Sequence, residues 1–533
     1  MFHHVTRRSL LLAGLALPSL GFFDSLASMA FGEKRSRSEE QDVNRCTTHF
    51  VAVNGNDDGP GTADHPWATI NHAAEHAKAG DTIVIRGGHY ILSTQIRPRH
   101  SGRPDAWITF IGYPGEEPIL DAQKLPRSTF TPGGLDSTST PKGLDNGVFQ
   151  IEGPSHIRVA RLTVINSQGA GFTVRDSSNI DLTNNSTKGT FSSGIAVWDT
   201  NHYGKATKHI RIIGNTITRA TTWDLAPSNM SKRGEAPQEA LSIAGAVDFE
   251  VSYNHIYDSD KEGIDIKETS KRGKVHHNLI HNLDRQGIYV DAWFGKIRNI
   301  EIFSNVIHHC RTAGIAISVE NGQAVENIKI RNNLIFDNLG SGLYISRWGA
   351  NGPRQNIQIL NNTFYHNGYG QPAAGQTYYW MTGGLYLYTV NVRNISIKNN
   401  IFSDNCGFQI GYSELFVENK RSWQGVAREQ GIQITANLID GRNIIDSPIR
   451  SGGYPRDRVN IYAVNGHRAI FGSPLFKDPA NQDFTLRRES PAALNHIAAG
   501  AYAPGSATQL WWKQHFPPQF THVSIDKICE GQN

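Results

Sequence analysis

The chain has 533 residues, a formal net charge of +4, 38% hydrophobic residues and four cysteines. That length can bury a large core, and so small a charge, with no basic stripe interleaved with aromatics, excludes a nucleic-acid-binding class. No CxxC or His/Cys constellation is present, so nothing points to a zinc site.

Thr6-Arg7-Arg8-Ser9-Leu10-Leu11-Leu12 opens an apolar stretch that ends near Phe23, and Ser28-Met29-Ala30 supplies a small-x-small cleavage site. Paired arginines before that stretch resemble a bacterial twin-arginine signal over 1–30, and an ordinary secretory signal would give the same compartment. The run is too short and too broken by Gly and Pro to anchor in a membrane. Export to the periplasm or beyond is expected. Residues 31–46 are charged and Ser-rich, the composition of a disordered lead. An Ala-rich amphipathic stretch, His72 to Ala79, stops at Gly80-Asp81 before the strand Thr82-Ile83-Val84-Ile85-Arg86. A capping helix there would cover the open end of a solenoid, whose strand edges invite aggregation.

Between Gly171 and Val390 a small–apolar–variable–apolar–variable phrase occurs eight times, starting at Gly171, Gly194, Ala240, Gly263, Gly287, Gly314, Gly342 and Gly384. Alternating apolar positions describe strands with one buried face, and recurrence every 23 to 46 residues describes stacked coils. Asn215, Asn254, Asn278, Asn305, Asn333, Asn362 and Asn400 form a second series, each followed two positions on by Ile or Phe. An Asn at the same turn of every coil can hydrogen-bond its neighbours above and below. The coils are too long for hexapeptide repeats and lack leucine-rich spacing. The pattern therefore predicts an all-β, right-handed parallel β-helix over 47–500, with 501–533 as a carboxyl-terminal tail. Cys310 and Cys406 lie about three rungs apart, roughly 14 Å, too far to bridge. Cys46 and Cys529 fall at opposite ends of the solenoid. His276, His277, His308, His309 and His366 follow the Asn series and read as solvated turn residues.

Three coils carry extra residues: Asp199 to Lys208, Ala220 to Glu239 with Trp223, and Tyr369 to Gly383 with Trp380. Long loops on a regular scaffold commonly build function, and aromatic ones suit the flat faces of sugar rings. The opening block (Phe50 to Thr62, then Pro66-Trp67-Ala68-Thr69-Ile70) and the closing block (Ser473 to Asp478, Asp483 to Leu486, Ser490-Pro491) resemble those of bacterial β-helix carbohydrate-active enzymes. That group includes pectate-lyase-like proteins and β-helix xylosidases. The resemblance implies an exported, monomeric enzyme whose partner is a poly- or oligosaccharide.

Numbering each phrase from its first residue, positions 2 and 4 point inward and positions 3, 5 and 7 outward. Outward charges concentrate in three consecutive coils as Asp265, Lys267, Asp291 and Glu320, flanked by Trp198, Tyr289, Trp293, Tyr344, Arg347 and Trp348. Asp265, Asp291 and Glu320 form a diagonal with α-carbons roughly 8 Å apart. Lys267 beside Asp291 is expected to keep that carboxylate ionised, and Glu320 between Trp293 and Trp348 to hold its proton. An ionised Asp beside a protonated Glu is the pair that glycoside hydrolysis uses, Asp291 as nucleophile or base and Glu320 as acid. Asp265 and Lys267 would orient and tune them, and the aromatic residues with Arg347, Trp223 and Trp380 would bind substrate. No cofactor is then required.

Gly287-Ile288-Tyr289-Val290-Asp291 is similar to the strand that carries the catalytic aspartate in bacterial β-helix xylosidases. Those enzymes place the acid glutamate at position 5 of the next coil, where this chain has Ser318. The resemblance to β-helix lyases implies an alternative, elimination from a uronate polymer with Lys267 as base and calcium held by Asp265, Glu262 and Asp291. A non-catalytic carbohydrate-binding solenoid is a third reading.

Overall fold

A computed structural model describes residues 47–126, 147–201, 205–226, 238–349, 352–374, 381–389, 391–412, 423–440, 459–460 and 469–495. The export signal, the lead, Cys46, Trp380, Cys529 and the tail lie outside the described residues. Among those described, three sheets of 13, 13 and 11 strands run the length of the coil stack, with every strand paired parallel to its equivalent in the next coil until the last. Only Val459–Asn460 joins the third sheet antiparallel. The architecture is the anticipated parallel β-helix. No helix among the described residues is long and apolar enough to cross a membrane.

The repeated phrase builds the third sheet in the expected register. Position 2 pairs Phe172, Ile195, Leu241, Ile264, Ile288, Ile315, Leu343, Leu385 and Ile410 from coil to coil. All of these side chains are buried in one continuous core. The alternation arises because consecutive side chains of a strand leave on opposite faces, so only one apolar set can line the interior. The Ala-rich stretch folds as a seven-residue helix, Ile70–His76, beginning two residues earlier than its sequence pattern suggested, because the Thr69 side chain accepts from His72 N and caps it. Its Ile70, Ala73 and Ala74 are buried.

The asparagine ladder is continuous. Side-chain Nδ2 groups of Asn185, Asn215, Asn254, Asn278, Asn305, Asn333, Asn362 and Asn400 each donate to the Oδ1 of the Asn one coil on, at 2.9–3.2 Å, ending at Asn437. Each also donates to a backbone carbonyl of the preceding coil, as Asn305 does to Val275 O at 3.0 Å. The residue before each ladder Asn turns the corner with positive φ, from Asn184 through Tyr253, His277 and Ser304 to Ala436. A second ladder, Asn338–Asn367–Asn405, closes on Gln409 and went unread in the sequence.

One expectation changes and another holds. Several histidines are packed rather than solvated: His281 stacks on His308 with centroids 4.9 Å apart, and His276 stacks on Phe303 at 4.5 Å. Cys310 and Cys406 form no disulfide, as their separation required. Asn305→Ala should cost about 3 kcal/mol, because Asn278 N and Nδ2 lose their shared acceptor in a buried site. Urea denaturation checks this, and a loss below about 1 kcal/mol would mean the ladder is not a stabilising element.

Candidate functional site

The charged residues of three consecutive coils meet on the outer side of the third sheet. Ser242, Asp265 and Tyr289 pair in one row; Ala244, Lys267, Asp291 and Ser318 pair in the next. Lys267 therefore lies beside Asp291, as the repeat required. Its ammonium nevertheless closes on Glu239 at 2.6 Å, with Asp265 farther off at 3.7 Å. Glu239 also accepts from Ser242 Oγ at 2.8 Å and faces Lys261 Nζ at 3.5 Å. It sits immediately before the Ala240 phrase, in a position the strand grid did not include. Glu262 and Gln286 occupy the same position in the next two coils, and a column running along those turns would have exposed the pattern.

Glu320 does not keep the register that set it between Trp293 and Trp348. The register slips between Ala292 and Trp293, so Trp293 pairs with Asn321 and Glu320 is displaced. A bulge of this kind re-aims a side chain without leaving a periodic trace. Glu320 accepts the hydroxyl of Tyr289. Trp293 turns to Asp291 and donates its indole N–H to Oδ2 at 2.8 Å.

These contacts change the anticipated behaviour of Asp291. Burial pushes the Asp291 carboxyl well above the usual carboxylate range, Glu320 adds repulsion, and the opposing pull of Lys267 does not offset them. Asp265 is pushed up in the same way, by burial and then by the charge of Glu239. Burial would also raise Glu239, but the ammonium groups of Lys267 and Lys261 hold it down at about 2. Burial opposes the charge of Lys267, yet Glu239 and Asp265 raise it overall, so it stays an ammonium and is not the free amine that a base requires. Asp291, expected as the ionised partner, is thus a carboxyl that holds its proton more tightly than usual. Burial marks this cluster. The first sheet also carries a column of alternating sign (Arg158, Asp181, Arg211, Glu250, Lys274, Glu301, Lys329), but the side chains of Arg158 and Arg211 there are 36% and 42% exposed.

The calcium set is not assembled. Glu262 turns to Arg285 at 3.2 Å, Asp265 faces Lys267, and Asp291 is committed to Trp293. No group of three or more His, Cys, Asp or Glu side chains among the described residues is arranged to hold a metal ion. Around the cluster, Trp348 is half-buried and meets Tyr289 edge-on with centroids 5.8 Å apart. Tyr344 is fully buried among Ala316, Met381, Tyr386 and Phe408, so its ring serves packing rather than an open stacking surface. Trp198 is buried three coils before Asp291, and Arg347 is exposed at the rim. Trp223 packs against Phe191 on the solenoid wall, with its backbone N bound to Asp260 at 2.7 Å, and is not brought to the carboxylates.

Because the carboxyl of Glu239 is held lower when folded than its ordinary 4.5, its contribution to stability is full above that value and fades as pH falls toward 2. Glu239→Gln should therefore cost roughly 3 kcal/mol at neutral pH. The difference from the native chain should shrink steadily in denaturation curves taken from pH 5 downward. A deficit that does not change with pH would deny the ion pair this role.

The family described as "Pel9A-like, right handed beta helix region" matches residues 49–224, and "Right handed beta helix region" matches 146–327 and 321–421. The chain is 25% identical over 480 residues to the uncharacterized protein YwoF of Bacillus subtilis (strain 168), covering 83% of this chain and 91% of that one. It is 32% identical over 146 residues to pectate lyase PEL9 of Emericella nidulans, a match that covers 27% of this chain and 34% of the lyase. The crystal structure of pectate lyase Pel9A aligns with a TM-score of 0.37 at 14% identity, over 67% of this chain and 75% of that one. Coils, ladder and family matches agree over the same stretch of chain, which belongs to the right-handed β-helix family and opens with a Pel9A-like segment.

Proposed function

We propose that the chain is a carbohydrate-active enzyme that cleaves a uronate-containing polysaccharide by β-elimination. The observation that carries this is the grouping, on adjacent coils, of a held ammonium, a proton-bearing carboxyl and a second carboxylate. The Pel9A-like match and the local identity to pectate lyase PEL9 support a lyase. Elimination needs positive charge over the uronate carboxylate, a base for the proton on the adjacent carbon, and an acid for the leaving oxygen. In this reading Lys267 supplies the charge. Glu320, half-buried at the displaced edge of the strand, takes the proton from carbon. The electron pair left behind forms the new carbon–carbon double bond, the glycosidic carbon–oxygen bond breaks, and Asp291 delivers its proton to the departing oxygen.

One observation favours a second reading. Asp291 and Glu320 are also two carboxyl groups on adjacent coils, the pair that glycoside hydrolysis uses, with Glu320 attacking carbon or activating water in this reading. Relative to the sequence expectation, the two roles are exchanged. We also propose that the helix Ile70–His76 closes the amino-terminal end of the solenoid and that the mature chain is an exported monomer, in keeping with a polymeric substrate outside the cell.

The test incubates purified mature protein with polygalacturonate, alginate and xylan while following reducing ends and the ultraviolet absorbance of an unsaturated uronate. The lyase reading expects both signals to rise together on a uronan, and to fall by about 100-fold or more in Asp291→Asn and Glu320→Gln. Reducing ends without absorbance would establish the hydrolase instead. Undiminished cleavage in Asp291→Asn would remove this cluster from the chemistry.

A further inference from the structure

The repeat puts Lys267 next to Asp291, yet the ammonium does not pull that carboxyl down to the usual range, and the side-chain contacts supply a reason. The Lys267 ammonium faces three carboxyl groups, and Lys261 Nζ also faces Glu239, at 3.5 Å. Asp291 has Lys267 on the coil before it, Glu320 on the coil after it, and Tyr289 and Trp293 on its own strand. Asp265 is surrounded by Glu239, Lys267, Asp291 and Glu262. The shortest contact decides between them: Lys267 Nζ lies 2.6 Å from Glu239 Oε2 and 3.7 Å from Asp265 Oδ2.

Glu239 is built to hold it. Its carboxylate is 6% exposed, Ser242 Oγ donates to the same Oε2, and its own backbone N–H donates to that hydroxyl at 3.2 Å. Ser242 is in turn 3.2 Å from Ser193 Oγ, so the anchor reaches one coil further back. On the far side, Asp265 Oδ1 and Asp291 Oδ1 are buried without a hydrogen-bond partner. Such an arrangement is costly for two carboxylates and tolerable for two neutral acids.

We infer that Glu239 is a positioning residue: by binding the Lys267 ammonium it keeps that positive charge off Asp265 and Asp291, so that Asp291 retains the proton it gives to the leaving oxygen. The last clause rests on the functional reading above; the control of Asp291 by Glu239 does not. Removing the Glu239 charge should make Asp291 easier to ionise, by lifting its own repulsion and by freeing the Lys267 ammonium. In Glu239→Gln, Lys267 is released toward Asp265 and Asp291.

The experiment titrates protein labelled with carboxyl-¹³C aspartate by NMR, with the Asp291 signal assigned by its loss in Asp291→Asn. The midpoint of Asp291 should fall by at least about one pH unit in Glu239→Gln, a tenfold change in proton affinity. It should return in Glu239→Asp and in the double variant Glu239→Gln/Lys267→Met. Lys267→Met alone should move it upward, which keeps the test open if Glu239→Gln does not fold. An Asp291 midpoint indifferent to both changes overturns the inference, as does a fall that persists when Lys267 is also replaced. On an active substrate, the alkaline limb of kcat/KM should move down by the same interval, and a merely structural role would lower the yield of folded protein without moving that limb. If the NMR shift appears while no carbohydrate is cleaved, the functional reading fails and the coupling stands.

Discussion

Everything at the candidate site depends on the stacking of one coil on the next without slippage, and the buried asparagine ladder is the interaction that fixes it. Each ladder side chain bonds forward to the next Asn and back to a carbonyl, so a shift of one residue at any coil would leave several buried polar groups unpaired. Hydrophobic packing alone is less discriminating, because Ile, Leu and Phe exchange readily along the core. With the ladder in place, the residue after each corner begins a strand at a fixed height, and the third sheet inherits that register. Asp265 is then two columns from Lys267 and one coil from Tyr289 by construction.

On that scaffold, chemistry arises from crowding. Lys261 and Lys267 share a small buried volume with Glu239, Glu262, Asp265 and Asp291, and Arg285 reaches Glu262 from the half-exposed edge. The interior cannot neutralise every carboxylate, so protons remain on those with the weakest access to a cation. Asp265 and Asp291 are those groups, while Glu239 and Glu262 are held in ion pairs. A site that contains both a firmly ionised carboxylate and a neutral acid a coil or two away has the division of labour that proton-transfer chemistry exploits. The family match gives no such detail; it comes from which side chain Lys267 touches.

Much of this was legible in the sequence, for identifiable reasons. The phrase beginning at Gly263 or Gly287 repeats because inward positions tolerate only apolar side chains, and that requirement prints the register of the third sheet directly into the chain. Asn278 and Asn305 were legible because a side chain that both donates and accepts recurs at the same corner of every coil. What escaped reading is what has no period. Glu239 ends an insertion and lies on a turn rather than on the strand. The bulge at Ala292 and Trp293 moves Glu320 through local backbone geometry alone. The direction in which Lys267 points is a choice between neighbours that spacing does not encode, and with it the ionisation expected of Asp291 changed. Trp223 and Tyr344 show the complementary error: an aromatic at an outward or loop position can still be consumed by packing.

The central claim is that the buried cluster, and not another face of the solenoid, receives the saccharide with Asp291 at the bond to be cleaved. A crystal structure of Asp291→Asn with an oligogalacturonide tests it most directly. The account predicts a glycosidic oxygen within about 3 Å of the side chain at position 291, with the adjoining uronate carboxylate beside Lys267. A saccharide seated instead in the groove on the first sheet, lined by Trp107, Arg158 and Arg211, with Lys267 still closed on Glu239 and untouched, would contradict it.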